Sequence, residues 1–370
     1  MSAAAAPQAL TGPVAPVAHR RWWWLAGALL LLVALCVLPF LVKNFRVFQF
    51  TLVMVYTIAI LGLNMLTGWN GQISLGHGAF YAIGAYTAAV LMDKVGLPYW
   101  ATLPVAGLVC FVSGFLMGFP ALRLGGHHLA VATLALALAV PQLLKHKSLE
   151  HLTGGVQGIV LNKPEPPFTF RFLGQPFNAD RWLYFFALAV TALMVLLAWN
   201  LLRGRVGRAL VAIRDHPIAA TAMGVNLPLF KTMTFGVSAA CTGVAGALGA
   251  IVVAFVSPDS FTVSLSIVLL VGVIVGGLAS IGGAFFGALF IQFVPNLADA
   301  VSKAAPAAIF GVLLIGLMAV MPGGVMGMVR LLGVRLQRRH AQRLQAGMDP
   351  HGKPAAVHAG PLVPTPSKET

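Results

Sequence analysis

Long runs of apolar residues, separated by single charged residues, fill the chain between residues 22 and 329. A charge at mid-bilayer costs about 2.5–3.5 kcal/mol on insertion scales, so charge-free intervals indicate where the chain can cross. Those intervals are Trp22–Val42, Val47–Met92, Val95–Leu122, Leu124–Leu144, Trp182–Leu202, Thr232–Pro258, Ser260–Ala298 and Ala304–Val329. A helix needs about 20 residues to cross, and two of the intervals, Val47–Met92 and Ser260–Ala298, are long enough for two. The pattern therefore predicts an all-α, polytopic transmembrane helical bundle of about ten spans.

The composition narrows the class of protein further. Hydrophobic residues make up 59% of the 370, and charged residues make up only 9%. A soluble domain carries about 25% charged residues because its surface faces water, so the composition excludes a soluble enzyme. The net charge is +15, and its cations are scattered between apolar runs. This distribution indicates contact with lipid headgroups and no nucleic-acid partner.

The placement of the basic residues predicts the orientation in the membrane. With the N-terminus in the cytoplasm, the cytoplasmic segments hold 15 Lys and Arg with 3 acidic residues, and the external segments hold 9 with 6. Because cytoplasmic loops are enriched in Lys and Arg, we predict that both termini are cytoplasmic. The predicted regions are a disordered N-tail over 1–21, a transmembrane domain over 22–329, an external loop over 145–180, and a basic, disordered C-tail over 330–370.

Glycines and polar residues interrupt the longest charge-free interval. Such glycines loosen a helix and free backbone groups that lipid cannot satisfy. We predict a broken or re-entrant segment near residues 68–78, the kind of feature at which transporters place substrate sites. The alternative is a simple loop between two helices at the cytoplasmic face. The glycines are Gly68, Gly71, Gly76 and Gly78, and the candidate pathway residues are Asn64, Asn70, Gln72, Ser74 and His77.

Arginines alternate with apolar residues in a second candidate region, residues 203–230, which we call the amphipathic segment. Pro217 suits the first turn of a helix, with Asp215 or His216 as its cap. The pattern predicts a short amphipathic helix outside the bilayer. Such a helix either lies on the lipid surface or docks a cytoplasmic partner.

No other motif indicates catalysis, a cofactor or a metal. The glycine-dense stretch Val275–Ala288 favours close packing of helices. Residues 347–353 read G-x-x-x-x-G-K, but Pro354 stands where a P-loop needs Ser or Thr, so we predict no ATP site in this chain. Neighbouring histidines lack a carboxylate or thiolate at ligand spacing, and we predict no metal site.

Six motifs, in order over residues 45–330, resemble the membrane permease subunits of ATP-binding-cassette importers for branched-chain amino acids, in particular their LivM-like branch. The motifs are GQISLGHGAFYAIGAYTAA, FPALRLGGHHLAVATLALA, LTGGVQGI, GRALVAIRDHPIAATAMGV, FVSPDSF and MPGG. The resemblance implies a subunit of a bacterial inner-membrane importer that moves branched-chain or related small amino acids into the cytoplasm by alternating access.

The resemblance also implies partners and a role for the amphipathic segment. The partners are a second, LivH-like permease, two cytoplasmic ATPases that bind the ATP, and an external substrate-binding protein. The amphipathic segment takes the place of the loop that couples a permease to its ATPases. The coupling residues so implied are Arg205, Gly207, Arg208, Arg214, Asp215, Ala219, Ala220 and Gly224.

Alternatives to this function stay open at the level of sequence. Related permeases serve urea, short amides or aromatic acids. A stand-alone passive channel or secondary carrier, or a membrane scaffold, would show the same apolar pattern. The absence of charge within the spans suits a neutral or zwitterionic solute. It argues against an ion-coupled carrier, which usually places an acidic residue or an arginine at mid-membrane.

Overall fold

The computed structural model describes residues 35–123, 127–166, 171–172, 175–301 and 306–333. The predicted N-tail over 1–21 and most of the first predicted span lie outside the described residues, as does the predicted C-tail beyond residue 333. Its first residues, 330–333, continue a helix.

The described chain is almost entirely helical, which confirms the all-α class. In order, the helices are α1 Asn44–Asn64, α2 His77–Asp93, α3 Tyr99–Arg123, α4 His127–Leu144, α5 Glu150–Thr153, α6 Ala179–Arg203, α7 Arg205–Asp215, α8 Pro217–Ala222, α9 Leu227–Val253, α10 Val263–Gly276, α11 Ile281–Val301 and α12 Pro306–Val320. Residues 35–41 and 324–333 are also helical. The strands are β1 Ile159–Val160, β2 Arg171–Phe172, β3 Gln175–Pro176 and β4 Phe255–Val256, with β1 antiparallel to β4 and β2 antiparallel to β3.

Helices of membrane-spanning length confirm the predicted polytopic bundle. Within the described residues, 7 helices are long and apolar enough to cross, or up to 8 if α4 and the bent turn after it form one span. The second span predicted within Val47–Met92 corresponds to α2, which has only 17 residues because a break in the helical structure precedes His77. The total of about ten spans stays a prediction.

Two helices, α1 and α9, form the centre of the bundle. The apolar window of each is 78% buried, against 17% for α6 and 6% for the candidate span Ala308–Gly333, which includes most of α12. Helix α9 packs against α1, α2 and α3, and its glycines allow the close approach. A Cβ at Gly243 would overlap the Cys110 side chain, and one at Gly246 would overlap the carbonyl of Tyr81. Small residues at such contacts let membrane helices pack backbone to backbone.

The glycine-dense stretch Val275–Ala288 packs one helix on another, as its sequence predicts. Gly276 in α10 lies against the carbonyl of Gly283 in α11, and Gly287 lies against the carbonyl of Gly272. A side chain at any of these positions would push the two helices apart. The stretch is therefore a packing surface.

The two polar loop regions lie at opposite ends of the bundle. The single helix α6 separates the segment before residue 179 from the amphipathic segment after it. At the first end, β1 pairs with β4, Lys145 forms an ion pair with Asp259, and the Trp182 indole donates to the Tyr99 hydroxyl at 3.1 Å. The second end carries the amphipathic segment and the candidate site.

Candidate functional site

The break between α1 and α2 is the centre of the candidate site. Helix α1 widens into a π-turn at Met65–Trp69, and the chain then runs without helix until His77. We call residues 65–76 the helix break. Gly71 within it adopts a φ of 72°, a conformation that side chains disfavour and that glycine adopts freely. The predicted broken segment is confirmed, although Gly78 already belongs to the first turn of α2.

Asn64, the last residue of α1, holds a distant turn against the helix break. Its amide nitrogen donates to the carbonyls of Gly277 at 3.2 Å and Ser280 at 3.0 Å. Its amide oxygen accepts from the backbone N–H of Ala279 at 3.0 Å. We call residues 277–280, which join α10 to α11, the second turn. Asn64 is fully buried and forms all three of these hydrogen bonds with the backbone of the second turn. It therefore fixes the second turn in place.

His77 lies in a chain of hydrogen bonds that joins α1, α2 and α9. The Ser238 hydroxyl donates to the Gly62 carbonyl at 2.6 Å, so its oxygen accepts from His77 Nε2 at 2.7 Å. Nδ1 of the same ring then accepts from the Ser74 hydroxyl at 3.0 Å. This network assigns the neutral Nε2–H tautomer. The imidazole is 0% exposed and acts as a bridge between helices.

The start of α2 is held by side chains of neighbouring helices. The first backbone N–H groups of any helix lack partners within it. Here the Gly78 N–H, in the first turn, donates to the Ser266 hydroxyl of α10 at 2.9 Å. Just before the helix, the Leu75 N–H donates to the Thr133 hydroxyl of α4, also at 2.9 Å. A Cβ at Gly76 would stand 2.8 Å from the Thr133 carbonyl oxygen. Helices α4 and α10 therefore hold the end of the helix break by hydrogen bonds and close packing.

Asn70 and Gln72 lie in the non-helical part of the break. The Asn70 amide nitrogen donates to the Gln72 side-chain oxygen at 2.9 Å. The Gln72 backbone is fixed on both sides, since its N–H donates to the Leu66 carbonyl at 3.1 Å and its carbonyl accepts from the Thr67 hydroxyl at 3.2 Å. The Asn70 side-chain oxygen is buried and has no partner within the described residues. It is the one acceptor of the predicted pathway set left open in that part of the chain.

The amphipathic segment forms two helices, whereas its sequence predicts one. Pro217 ends α7 because it has no N–H to continue the helix and forces the preceding residue out of helical geometry. His216 accordingly adopts φ −147° and ψ 88° between α7 and α8. It occupies the N-cap position of α8, but its side chain makes no capping hydrogen bond.

The residues predicted for coupling occupy both faces of this segment. Gly207 and Ala220 are buried, and a Cβ at Gly207 would overlap the Leu202 carbonyl. The exposed members are Arg205, Arg208, Arg214, Asp215, Ala219 and Gly224. Ile218 and Met223, at the tip formed by α8, are 88% and 85% exposed. Two large apolar side chains this exposed, away from the apolar spans, indicate a contact surface.

Arg214 connects the amphipathic segment to the helix break. Its Nη1 donates to the carbonyl of Gly68 at 2.8 Å, and its Nε donates to the Asp215 carboxylate at 2.9 Å. The stem of the side chain lies against Gly71, where a Cβ would stand 2.8 Å from Arg214 Cγ. On the other side, a Cβ at Gly68 would overlap the Ala279 amide nitrogen. The two glycines thus let the break touch both α7 and the second turn.

The sequence predicts the helix break and the amphipathic segment as two separate features. In the structure they are in contact. The residues that the sequence does not single out are the hydrogen-bonding partners Thr133, Ser238 and Ser266. The second turn lies within the glycine-dense stretch Val275–Ala288, which the sequence singles out for packing and not for a contact with Asn64. Small hydroxyl residues within apolar spans were the available signal, because such residues bond across membrane helices. Whether Asn64, Asn70, Gln72, Ser74 and His77 line a solute path stays a prediction.

A polytopic helical bundle with a broken central helix beside an amphipathic segment has the architecture of a membrane transporter. Residues 46–322, well over half of the chain, match the family described as the permease component of branched-chain amino acid transport systems. The chain belongs to this family of permeases.

Individual relatives are also named as permease proteins of branched-chain amino acid transport systems. The chain is 41% identical over 274 residues to the high-affinity branched-chain amino acid transport system permease protein LivM of Escherichia coli K12, covering 68% of this chain and 64% of that protein. It is 40% identical over 269 residues to LivM of Salmonella typhimurium, covering 68% and 63%. LivH of Escherichia coli K12 is 26% identical over 297 residues, covering 75% and 92%. The match thus spans less than two thirds of the LivM proteins. No solved structure matches the chain.

Proposed function

We propose that this chain is a permease subunit of an ATP-driven importer and moves branched-chain or related small amino acids into the cytoplasm by alternating access. It has no ATP site of its own and works with a second, LivH-like permease, two cytoplasmic ATPases and an external substrate-binding protein. The complex lies in a bacterial inner membrane, with both termini of this chain in the cytoplasm.

The observation that carries the proposal is the contact between the amphipathic segment and the helix break. A permease that is driven by a separate ATPase needs a surface that the ATPase can bind and move. It also needs a connection from that surface to the membrane spans. Ile218 and Met223 supply an exposed apolar surface, and the Arg214 bond to Gly68 supplies the connection. A stand-alone channel has no need of either feature.

The kind of solute follows from the chemistry of the spans and from the relatives. The polar groups of the charge-free intervals are mainly amides, hydroxyls and the imidazoles of His77, His127 and His128, with no Asp, Glu, Lys or Arg. Such groups suit a solute that is neutral overall, as a zwitterionic amino acid is, and they do not supply a counter-ion for a charged one. The relatives are named for branched-chain amino acids, which makes leucine the first solute to test.

Uptake into vesicles tests the proposal directly. Proteoliposomes would hold the two permeases with or without the ATPases, with the binding protein and radiolabelled leucine outside and ATP inside. We expect uptake only in the presence of the ATPases. Uptake of equal rate without them would establish a passive channel or secondary carrier. ATP-dependent uptake of urea, a short amide or an aromatic acid in place of leucine would support the importer and reject the amino-acid substrate.

A further inference from the structure

Arg214 joins the amphipathic segment to the helix break by a side-chain hydrogen bond. It lies in the last turn of α7, and its Nη1 donates to the carbonyl of Gly68. Gly68 lies in the π-turn that closes α1, where the last carbonyls of a helix lack intrahelical partners and carry partial negative charge. A guanidinium there makes a charge-assisted hydrogen bond, among the stronger kinds in proteins. The bond therefore ties α7 to the end of a central helix.

The contact continues beyond the helix break. Gly68 lies one helical turn from Asn64, whose side chain makes three bonds with the backbone of the second turn. Ala279 in that turn has a left-handed φ of 52°, a strained conformation for a residue with a Cβ. Two groups of polar bonds, one at Gly68 and one at Asn64, thus connect α7 through the end of α1 to the link between α10 and α11.

An apolar cleft lies beside α7. Its volume is about 250 Å³, and it lies between α7, the start of α9 and Met65. Val206 and Leu210 line it from α7, and Leu229 and Phe230 line it from α9. Leu229 and Met233 on its wall are 47% and 42% exposed, so the cleft is open at the surface of the described bundle. Helix α7 is therefore not closely packed against this part of α9, and the Arg214 bond to Gly68 attaches α7 to the helix break.

We infer that Arg214 is a positioning residue that transmits movement of the amphipathic segment to the helix break, and through Asn64 to the second turn. The inference rests on the proposed function, since it requires an ATPase to move α7. In this arrangement the backbones of α1 and α10 shift together when α7 shifts, because Asn64 holds them to each other. Loss of the Arg214 bond leaves the exposed surface of Ile218 and Met223 intact and removes its polar connection to the helix break.

The test is the ratio of leucine taken up to ATP hydrolysed by the complete importer in proteoliposomes. The variants are Arg214→Gln, which removes the charge, and Arg214→Lys, which keeps a donor. Lys231→Gln is the control. It removes a charge at the same end, from a side chain that has no hydrogen bond or ion pair within the described residues. Correct assembly of each variant is checked by co-purification of the ATPases.

We expect Arg214→Gln to hydrolyse ATP at close to the normal rate while its uptake per ATP falls about tenfold, in line with the loss of a bond to a charged donor. Arg214→Lys should lose less, and Lys231→Gln should match the unchanged complex. A parallel fall of hydrolysis and uptake, or an unchanged ratio, would overturn the inference. If the unchanged complex shows no ATP-dependent uptake, the proposed function itself fails, a result distinct from any outcome in the variants.

Discussion

At the scale of single residues, Gly71 has two reasons to lack a side chain. Its φ of 72° is one, and the Arg214 stem against its Cα is the other. Gly96, between α2 and α3, separates these effects, since its φ is 71° but no atom lies near enough to meet a Cβ there. The two glycines therefore make a matched pair.

We predict that Gly96→Ala costs about 1 kcal/mol, the strain of a left-handed conformation. Gly71→Ala should cost about 1.5–3 kcal/mol more, because the new methyl group displaces Arg214 from its bond to Gly68. Thermal unfolding of the purified chain in detergent measures both. Equal losses of stability in the two variants would show that Arg214 does not depend on Gly71.

At the scale of elements, the two short helices of the amphipathic segment differ in what they contact. Helix α7 buries Leu210 and Ile213 against the bundle, and α8 holds Ile218 away from it. Pro217 produces this division by ending α7. The exposed tip therefore offers a partner an apolar surface whose loss leaves the bundle itself intact.

We predict that Ile218→Asp changes the stability of the chain by less than about 0.5 kcal/mol, as surface substitutions do, and strongly reduces ATP-dependent uptake. Thr221→Asp is the control, since it places the same charge on an exposed and already polar position of the same helix. Uptake by the complete complex and co-purification of the ATPases are the measurements. An equal loss of uptake in Thr221→Asp would attribute the effect to charge and contradict an apolar contact.

At the scale of the whole molecule, the charge-free intervals predict where the long apolar helices lie along the chain. The cost of a charge in lipid depends on the residue itself, so the spans over α3, α6 and α9 could be read from the sequence alone. The bonds of the candidate site could not. Asn64 meets the second turn and Arg214 meets Gly68 across more than a hundred residues. Such partners depend on how the helices pack, which no local pattern records.

The opposite placement of the two loop regions makes a prediction about the membrane. Met223 is exposed at the end with the amphipathic segment, and Val156 is exposed at the other. With the native cysteines replaced by alanine, an impermeant maleimide should label Val156→Cys in intact spheroplasts. In spheroplasts that lack the ATPases, it should label Met223→Cys only after permeabilisation, because the basic segment is cytoplasmic. The reverse pattern would contradict the predicted orientation.

In the proposed function, ATP hydrolysis by partner subunits drives the solute past the helix break. The most direct measurement is leucine uptake by proteoliposomes of the complete complex, loaded with ATP or with a non-hydrolysable analogue. We predict accumulation against a gradient with ATP and only solute bound to the binding protein with the analogue. Accumulation of leucine with the analogue would contradict transport driven by ATP hydrolysis.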